Sequence, residues 1–285
     1  MTRTPAVAGM FYEADRASLI RSLERRFAGP LGPGKLPQAA EQGPGRILGL
    51  VCPHAGYLYS GPAAAHAYAA LAADGVPDTA VLLGPNHYGA GAAVAVSGAD
   101  EWSTPLGALS VDAEAREVIL RLSKYAQSDD RAHLREHSIE VQLPFLQLIG
   151  GDDVKIVPIS IAHLGEHEAP AVARDVGAAI SGALEGRRAV VIASTDFTHY
   201  EPQAAAYEKD SQAIDRIAAM DTAGLLATVY GRGITMCGVV GTCVMLEACR
   251  AMGATRARKL AYHTSGDVTG DTREVVGYGA VSVER

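Results

Sequence analysis

Four short apolar runs, Ile47–Cys52, 80–83, 154–161 and 189–193, have almost no polar interruption. Their length and lack of alternation predict strands buried on both faces. Between them lie longer stretches with helical spacing of apolar residues, at 62–73, 113–126, 138–149 and 169–184. A further helix is predicted at 17–27, and three more at 203–220, 222–230 and 238–252. Strand character returns at 260–263 and 275–283. Pro30, Pro33 and Pro37 forbid regular helix across 29–45, which reads as a surface loop. Strands alternating with helices predict an α/β fold with a largely parallel central sheet flanked by helices. No repeat or low-complexity linker divides the chain, so one domain spanning 1–285 is expected.

The polar positions gain meaning from where the apolar runs stop. The first run leads into Cys52-Pro53-His54-Ala55-Gly56-Tyr57, the second into Gly84-Pro85-Asn86-His87-Tyr88, and the fourth into Ser194-Thr195-Asp196-Phe197-Thr198-His199. In a parallel sheet these turns share the carboxyl edge, where open α/β sheets place their binding crevice. His54, His87, Asp196 and His199 can then converge while standing far apart in the chain. Imidazole and carboxylate groups on rigid strand ends suit Fe(II) or Zn(II) with coordination positions left open.

A third ligand is less defined. Taken alone, Cys237 reads first as a small buried hydrophobe. Its second reading is a thiolate at a helix N-terminus, completing a His/His/Cys set. Cys243 and Cys249 fall on other faces of that helix and read as core. His133-Leu134-Arg135-Glu136-His137 matches a zinc-protease pattern, H-x-x-E-H, which needs one continuous helix. Ser138 reads instead as the N-cap of the following helix, leaving His133 in a loop. His66 reads as packed or surface. His163 and His167 read as solvated, with lining the crevice as the alternative for His163, beside a strand end. Thr264 to Asp271 lacks the twelve-position calcium pattern and is expected to be an ordered loop at the crevice.

Composition narrows the class without naming it. The 285 residues are 48% hydrophobic and 20% charged, ordinary globular usage rather than disorder. The formal charge of −7 and the 6% aromatic content oppose a nucleic-acid or anionic-membrane surface. No run of about eighteen apolar residues predicts a membrane span, and no signal-peptide core precedes Glu13. The four cysteines show no C-x-x-C spacing, so free thiols in a cytoplasmic protein are expected.

Six motifs in order then carry a resemblance: Pro5 to Tyr12 (PAVAGMFY), Pro53 to Tyr57 (PHAGY), Leu83 to His87 (LGPNH), Glu136 to Glu140 (EHSIE), Ser194 to His199 (STDFTH) and Thr264 to Asp271 (TSGDVTGD). The chain resembles the Memo-like family, known in prokaryotes as AmmeMemoRadiSam system protein B, over nearly its whole length. The resemblance implies the fold of class III extradiol dioxygenases, the LigB-like superfamily. It implies metal ligands at His54, His87 and Cys237, an acid/base histidine at His199, and Asp196 and His137 as neighbours in the pocket.

The implied cofactor is Fe(II), with Cu or Zn as alternatives, and the implied substrate is a small aromatic or bidentate molecule. Cys237 stands where the dioxygenases use a carboxylate, so ring cleavage does not transfer automatically. Eukaryotic relatives are linked to signalling, metal binding and phosphotyrosine-peptide recognition. A non-catalytic reading therefore stands beside the enzymatic one, with AMMECR-like and radical-SAM proteins as expected partners and a homodimer as the expected assembly.

Overall fold

The structure is a computed structural model, describing residues 1–40 and 43–285. Positions 41–42 of the expected 29–45 loop lie outside the described residues. In chain order the elements begin with β1 (Thr2–Arg3), α1 (Arg16–Ala28), β2 (Ile47–Cys52), α2 (Tyr57–Asp74), β3 (Thr79–Pro85), β4 (Val94–Val96), β5 (Glu101–Thr104), β6 (Gly107–Ser110) and α3 (Ala113–Leu122). They continue with β7 (Ala126–Ser128), α4 (Leu143–Gly150), β8 (Lys155–Ile161), α5 (Ala169–Ala183), β9 (Ala189–Ser194), β10 (His199–Glu201) and α6 (Gln203–Ala218). The last are α7 (Thr222–Gly231), α8 (Val239–Ala251), β11 (Arg256–Thr264), α9 (Ser265–Thr269) and β12 (Val275–Glu284).

The four apolar runs form the centre of the main sheet, in the order β2-β9-β3-β8, all parallel. Their side chains alternate between two helical layers, as a period of two requires. On β9, Val191 and Ala193 pack with α3, α5, α7 and α8, while Val190 and Ile192 pack with α1, α2 and α4. Each fully buried Leu, Ile or Val contributes about 1.5–3 kcal/mol, so this sandwich is the principal source of stability. The flanks depart from the parallel rule. β12 runs antiparallel to β2 and carries β11 and β10, and β4 runs antiparallel to β8. A separate sheet joins β1, β5 and β6.

Several sequence expectations change in detail. The helix expected from 138 is a 3-10 turn at Glu140–Gln142 followed by α4, because the Ser138 hydroxyl donates to Pro85 O (3.0 Å) rather than capping. α2 starts at Tyr57, earlier than expected, with Pro62 inside it. α3 stops at Leu122, and Ala126 opens a strand. The expected loop from Thr264 contains a helical turn, α9, held by a capping box between Thr264 and Asp267. None of the described helices is long and apolar enough to cross a membrane.

The N-terminal segment is tied to the sheet through one buried carboxylate. Glu140 accepts from the Arg3 guanidinium, from Ala6 N (2.8 Å) and Val7 N (3.0 Å), and from the Tyr12 hydroxyl (2.6 Å). Arg3 also donates to Glu136 O (2.6 Å) and lies over the Trp102 ring at 4.4 Å.

His133 is buried beside these groups with its Nε2–H on Ala95 O (3.0 Å), and burial draws its pKa down to about 4 despite that bond. The folded pKa lies below the unfolded value, so its contribution is present above about pH 6.5 and is lost as pH falls toward 4. We predict that the stability gap between the parent and His133→Phe shifts by about 3 kcal/mol between pH 7 and pH 4, to the parent's disadvantage in acid. Urea unfolding at both pH values measures it. A pH-independent gap would show that His133 does not titrate with folding.

Candidate metal centre

Because β2, β9, β3 and β8 are parallel and in register (Cys52 opposite Ser194, Leu83 opposite Ala193, Pro85 opposite Ile161), their following turns leave from one edge. His54, His87 and Cys237 meet there. One ligand atom from each lies within 4.8 Å of the others. Two glycines permit the approach. A Cβ on Gly84 would stand 2.4 Å from Ser138 Oγ, and one on Gly238 would stand 2.5 Å from Ser194 O. Larger residues at either position would push the His87 turn or Cys237 off the strand ends.

The hydrogen bonds settle which imidazole nitrogen carries the proton. Ser194 Oγ donates its only proton to Ser138 O (2.6 Å) and accepts from Gln142 Nε2 (2.8 Å). The amide orientation of Gln142 is set by its second bond from Nε2, to Pro53 O (2.9 Å). The remaining lone pair of Ser194 therefore faces a donor, His54 Nδ1–H, at 3.0 Å. His54 Nε2 is left with a lone pair toward the Cys237 sulfur, 3.3 Å away. His87 repeats the device with a carboxylate: its Nδ1–H donates to Glu136 Oε1 (2.9 Å), leaving Nε2 free. This second-layer pairing is what metal-ligating histidines use to fix their tautomer.

Glu136 is nearly fully buried and also accepts from His87 N (2.7 Å), His137 N (2.8 Å) and Ser138 N (2.9 Å). Burial opposes its charge, but His87 and these donors outweigh it and hold the carboxyl at about 2. The sequence placed Glu136 only inside a motif. Its signal was adjacency to His137, but its partner is His87, which only the fold brings near. The H-x-x-E-H pattern is not helical, and the His133 ring meets Ala95 O and Trp102 (ring centroids 5.4 Å).

His137 stacks on His87 (ring centroids 4.8 Å, 12°) and meets His54 edge-on at 5.5 Å. Burial lowers its pKa to about 4. Asp196 accepts from His54 N (2.8 Å), and its other oxygen lies 4.0 Å from His54 Nε2. Burial raises this carboxyl to about 6, against the backbone donors and histidines around it. His199 is half-buried at the start of β10. Its Nδ1–H donates to Thr235 O (2.9 Å) and its N–H to Thr235 Oγ1 (2.7 Å), which leaves Nε2 able to accept a proton. Tyr200 beside it has φ +58°, an uncommon conformation for a non-glycine residue.

The second reading of Cys237, a thiolate at a helix N-terminus, meets a different local geometry. Cys237 precedes α8, and the Gly238 N–H goes to Thr195 Oγ1 (2.9 Å) instead of the sulfur. Burial, followed by the neighbouring Asp196, pushes the thiol up to about 12. Binding a cation there would require the thiol to give up its proton. Two imidazoles with fixed lone pairs and a sulfur at van der Waals spacing fit the donor preferences of Fe(II), Cu or Zn(II). Cys243 and Cys249 are core residues, and His66 Nε2–H donates to Leu31 O (3.2 Å).

A family model described as Memo-like protein matches residues 3–282. The chain is 48% identical to a MEMO1 family protein of Methanopyrus kandleri, covering 100% of both chains. It is 48% identical to one of Methanothermobacter thermautotrophicus, over 99% of this chain and 100% of that one. A third, from Thermotoga maritima, is 44% identical over 98% of each. Among solved structures, an uncharacterized protein from Escherichia coli K12 superposes with a TM-score of 0.57, covering 84% of this chain and 100% of that one. Its sequence identity of 12% makes this a likeness of fold alone. With a family match from residue 3 to residue 282 and relatives near half-identical from end to end, the chain belongs to the Memo-like family.

Proposed function

We propose that His54, His87 and Cys237 hold one metal ion, Fe(II) in the physiological state with Cu or Zn as alternatives. We propose further that the protein acts on a small aromatic or otherwise bidentate substrate in the manner of a non-haem iron dioxygenase. The observation that carries this is the convergence of three donor atoms within 4.8 Å, two of them on imidazoles whose other nitrogen is already bonded. When bound, such an ion supplies Lewis acidity toward a substrate oxygen and, for Fe(II), chemistry with O2.

The chain's own residues do the rest. Ser194 and Glu136 hold the two rings in their ligating tautomers. His199 Nε2 is available to take or give the substrate proton, oriented through Thr235. Asp196 fixes the backbone of His54 and places a carboxyl beside the reacting groups. His137 stacks on one face of His87.

The test is metal content per chain after anaerobic purification and reconstitution, for the parent and for His54→Ala, His87→Ala and Cys237→Ser. About one equivalent is expected in the parent and none in each variant. An equivalent retained by Cys237→Ser would remove the sulfur from the ligand set. Because the thiol must deprotonate on binding, affinity is expected to rise about tenfold per pH unit between pH 6.5 and 8, before other proton exchanges are counted. Oxygen uptake with catechols and Fe(II), abolished by His199→Ala, would establish turnover.

A second reading, recognition of a protein or peptide, draws on exposed apolar side chains next to the site turns: Met10 and Tyr200 (each 73% exposed), Tyr88 and Tyr59. Calorimetry against the AMMECR-like and radical-SAM proteins tests it. Binding that survives His54→Ala without oxygen chemistry would favour this reading.

A further inference from the structure

A cleft of about 340 Å³ is lined by the turn that carries Cys237. Its walls are Val229 and Tyr230 from α7, Ile234 and Met236 from the turn, and Val239 at the start of α8. Cys237 belongs both to this cleft and to the donor set. Thr235, whose carbonyl holds His199, lines it as well. His163 stands exposed at its rim, just beyond β8. The end of β8 lies beside the end of β3, and Asn86 N donates to Ile161 O (2.9 Å), so the rim and the His87 turn share one edge of the sheet. Tyr230 is pinned there by its hydroxyl on Leu164 O (2.8 Å). The cleft is therefore a mostly apolar chamber adjoining a polar, chelating centre. Such pairing of apolar walls with a few placed polar groups is the usual composition of small-molecule sites, and its size falls within their range of about 300–1,000 Å³. A larger depression of about 580 Å³, between Glu185, Arg187, Met252 and Arg285, lies at the opposite edge of the sheet, away from every donor.

We infer that the cleft beside Cys237 is the subsite for an apolar substituent, so that the substrate class is a chelating head joined to a branched-alkyl or aromatic tail. The head rests on the metal reading given above. The tail rests on the cleft alone.

The experiment uses the full chain loaded with Zn(II), which keeps its oxidation state, and labelled at the methyl groups of Val, Ile and Met. Three probes are titrated separately: catechol, 4-tert-butylcatechol, and 3-tert-butylphenol, which lacks the chelating pair. Affinities come from calorimetry and contacts from methyl NMR shifts. The alkylated catechol is expected to bind about tenfold more tightly than catechol, the difference that burying a few methyl groups provides. Both alkylated probes are expected to shift the methyls of Val229, Ile234, Met236 and Val239. His163→Trp, at an exposed position, is expected to cut the preference below threefold. Val229→Phe, which fills the cleft from its wall, should do the same if it folds. Methyls silent to both alkylated probes, or equal affinity for the two catechols, overturn the subsite whatever catechol itself does. Methyl shifts from 3-tert-butylphenol, with neither catechol affected by His54→Ala, keep the subsite and overturn the metal reading instead.

Discussion

Glu140→Ala is expected to destabilise the protein by about 3–5 kcal/mol, the range for breaking a buried ion pair from one side. The side chains of Arg3 and Glu140 are 5% and 0% exposed, so the substitution leaves a guanidinium in the interior with its charge unanswered. It also strands two backbone donors, Ala6 N and Val7 N, and the Tyr12 hydroxyl. For a chain of this length the loss corresponds to a fall in Tm of ~10 °C. The consequence reaches the candidate site through the N-terminal segment. Phe11 packs on the His137 ring at 4.6 Å, and Phe11 O accepts from Tyr57 N (2.8 Å), where α2 leaves the His54 turn. Release of residues 3–12 should therefore appear as rapid amide exchange in that segment and as added mobility at His137. A double variant, Arg3→Met with Glu140→Leu, is expected to recover part of the loss, because no buried charge remains unpaired. A change below about 1 kcal/mol in Glu140→Ala would contradict this account of the segment.

Glu136→Gln is expected to weaken metal binding about 10- to 100-fold while leaving the fold intact. The carboxylate receives donors on both oxygens: His87 N on Oε2, and His87 Nδ1, His137 N and Ser138 N on Oε1. An amide offers an acceptor on only one side, so its NH2 must face at least one of these donors. If it faces His87 Nδ1, the ring is pressed toward the tautomer that protonates Nε2, the atom proposed as the ligand. Removing the negative charge also lowers the ring's basicity, since Glu136 is what raises the His87 pKa against the effect of burial. Competition with a chromogenic chelator gives the dissociation constant, and the methyl NMR spectrum reports whether the core has stayed as it was. An unchanged constant would mean that Glu136 serves the turn and not the ligand.

These two carboxylates mark the division between what the chain announces and what folding decides. The four central strands were legible because residues buried on both faces leave a continuous apolar run, which depends on nothing beyond the segment itself. The carboxyl-edge placement of His54, His87, Asp196 and His199 followed from that, since parallel strands leave only one edge for their following turns. The Memo-like motifs were equally local. β4, β5, β6, β7 and β10 were not legible, because elements of three or four residues carry too little periodicity. The helix expected from Ser138 begins only at Leu143, because a tertiary acceptor, Pro85 O, claimed the hydroxyl that capping required.

The sequence by itself therefore determined the α/β centre, the family and the edge at which the histidines gather. Only the tertiary structure decided that Ser194 and Glu136 set the imidazole tautomers, that Glu140 anchors the first residues, and that Cys237 is a half-buried thiol beside an apolar cleft. Each of those depends on atoms dozens of residues apart meeting at hydrogen-bond or van der Waals distance. No local pattern of apolar and polar positions encodes such a meeting, because it is set by how whole strands and helices pack.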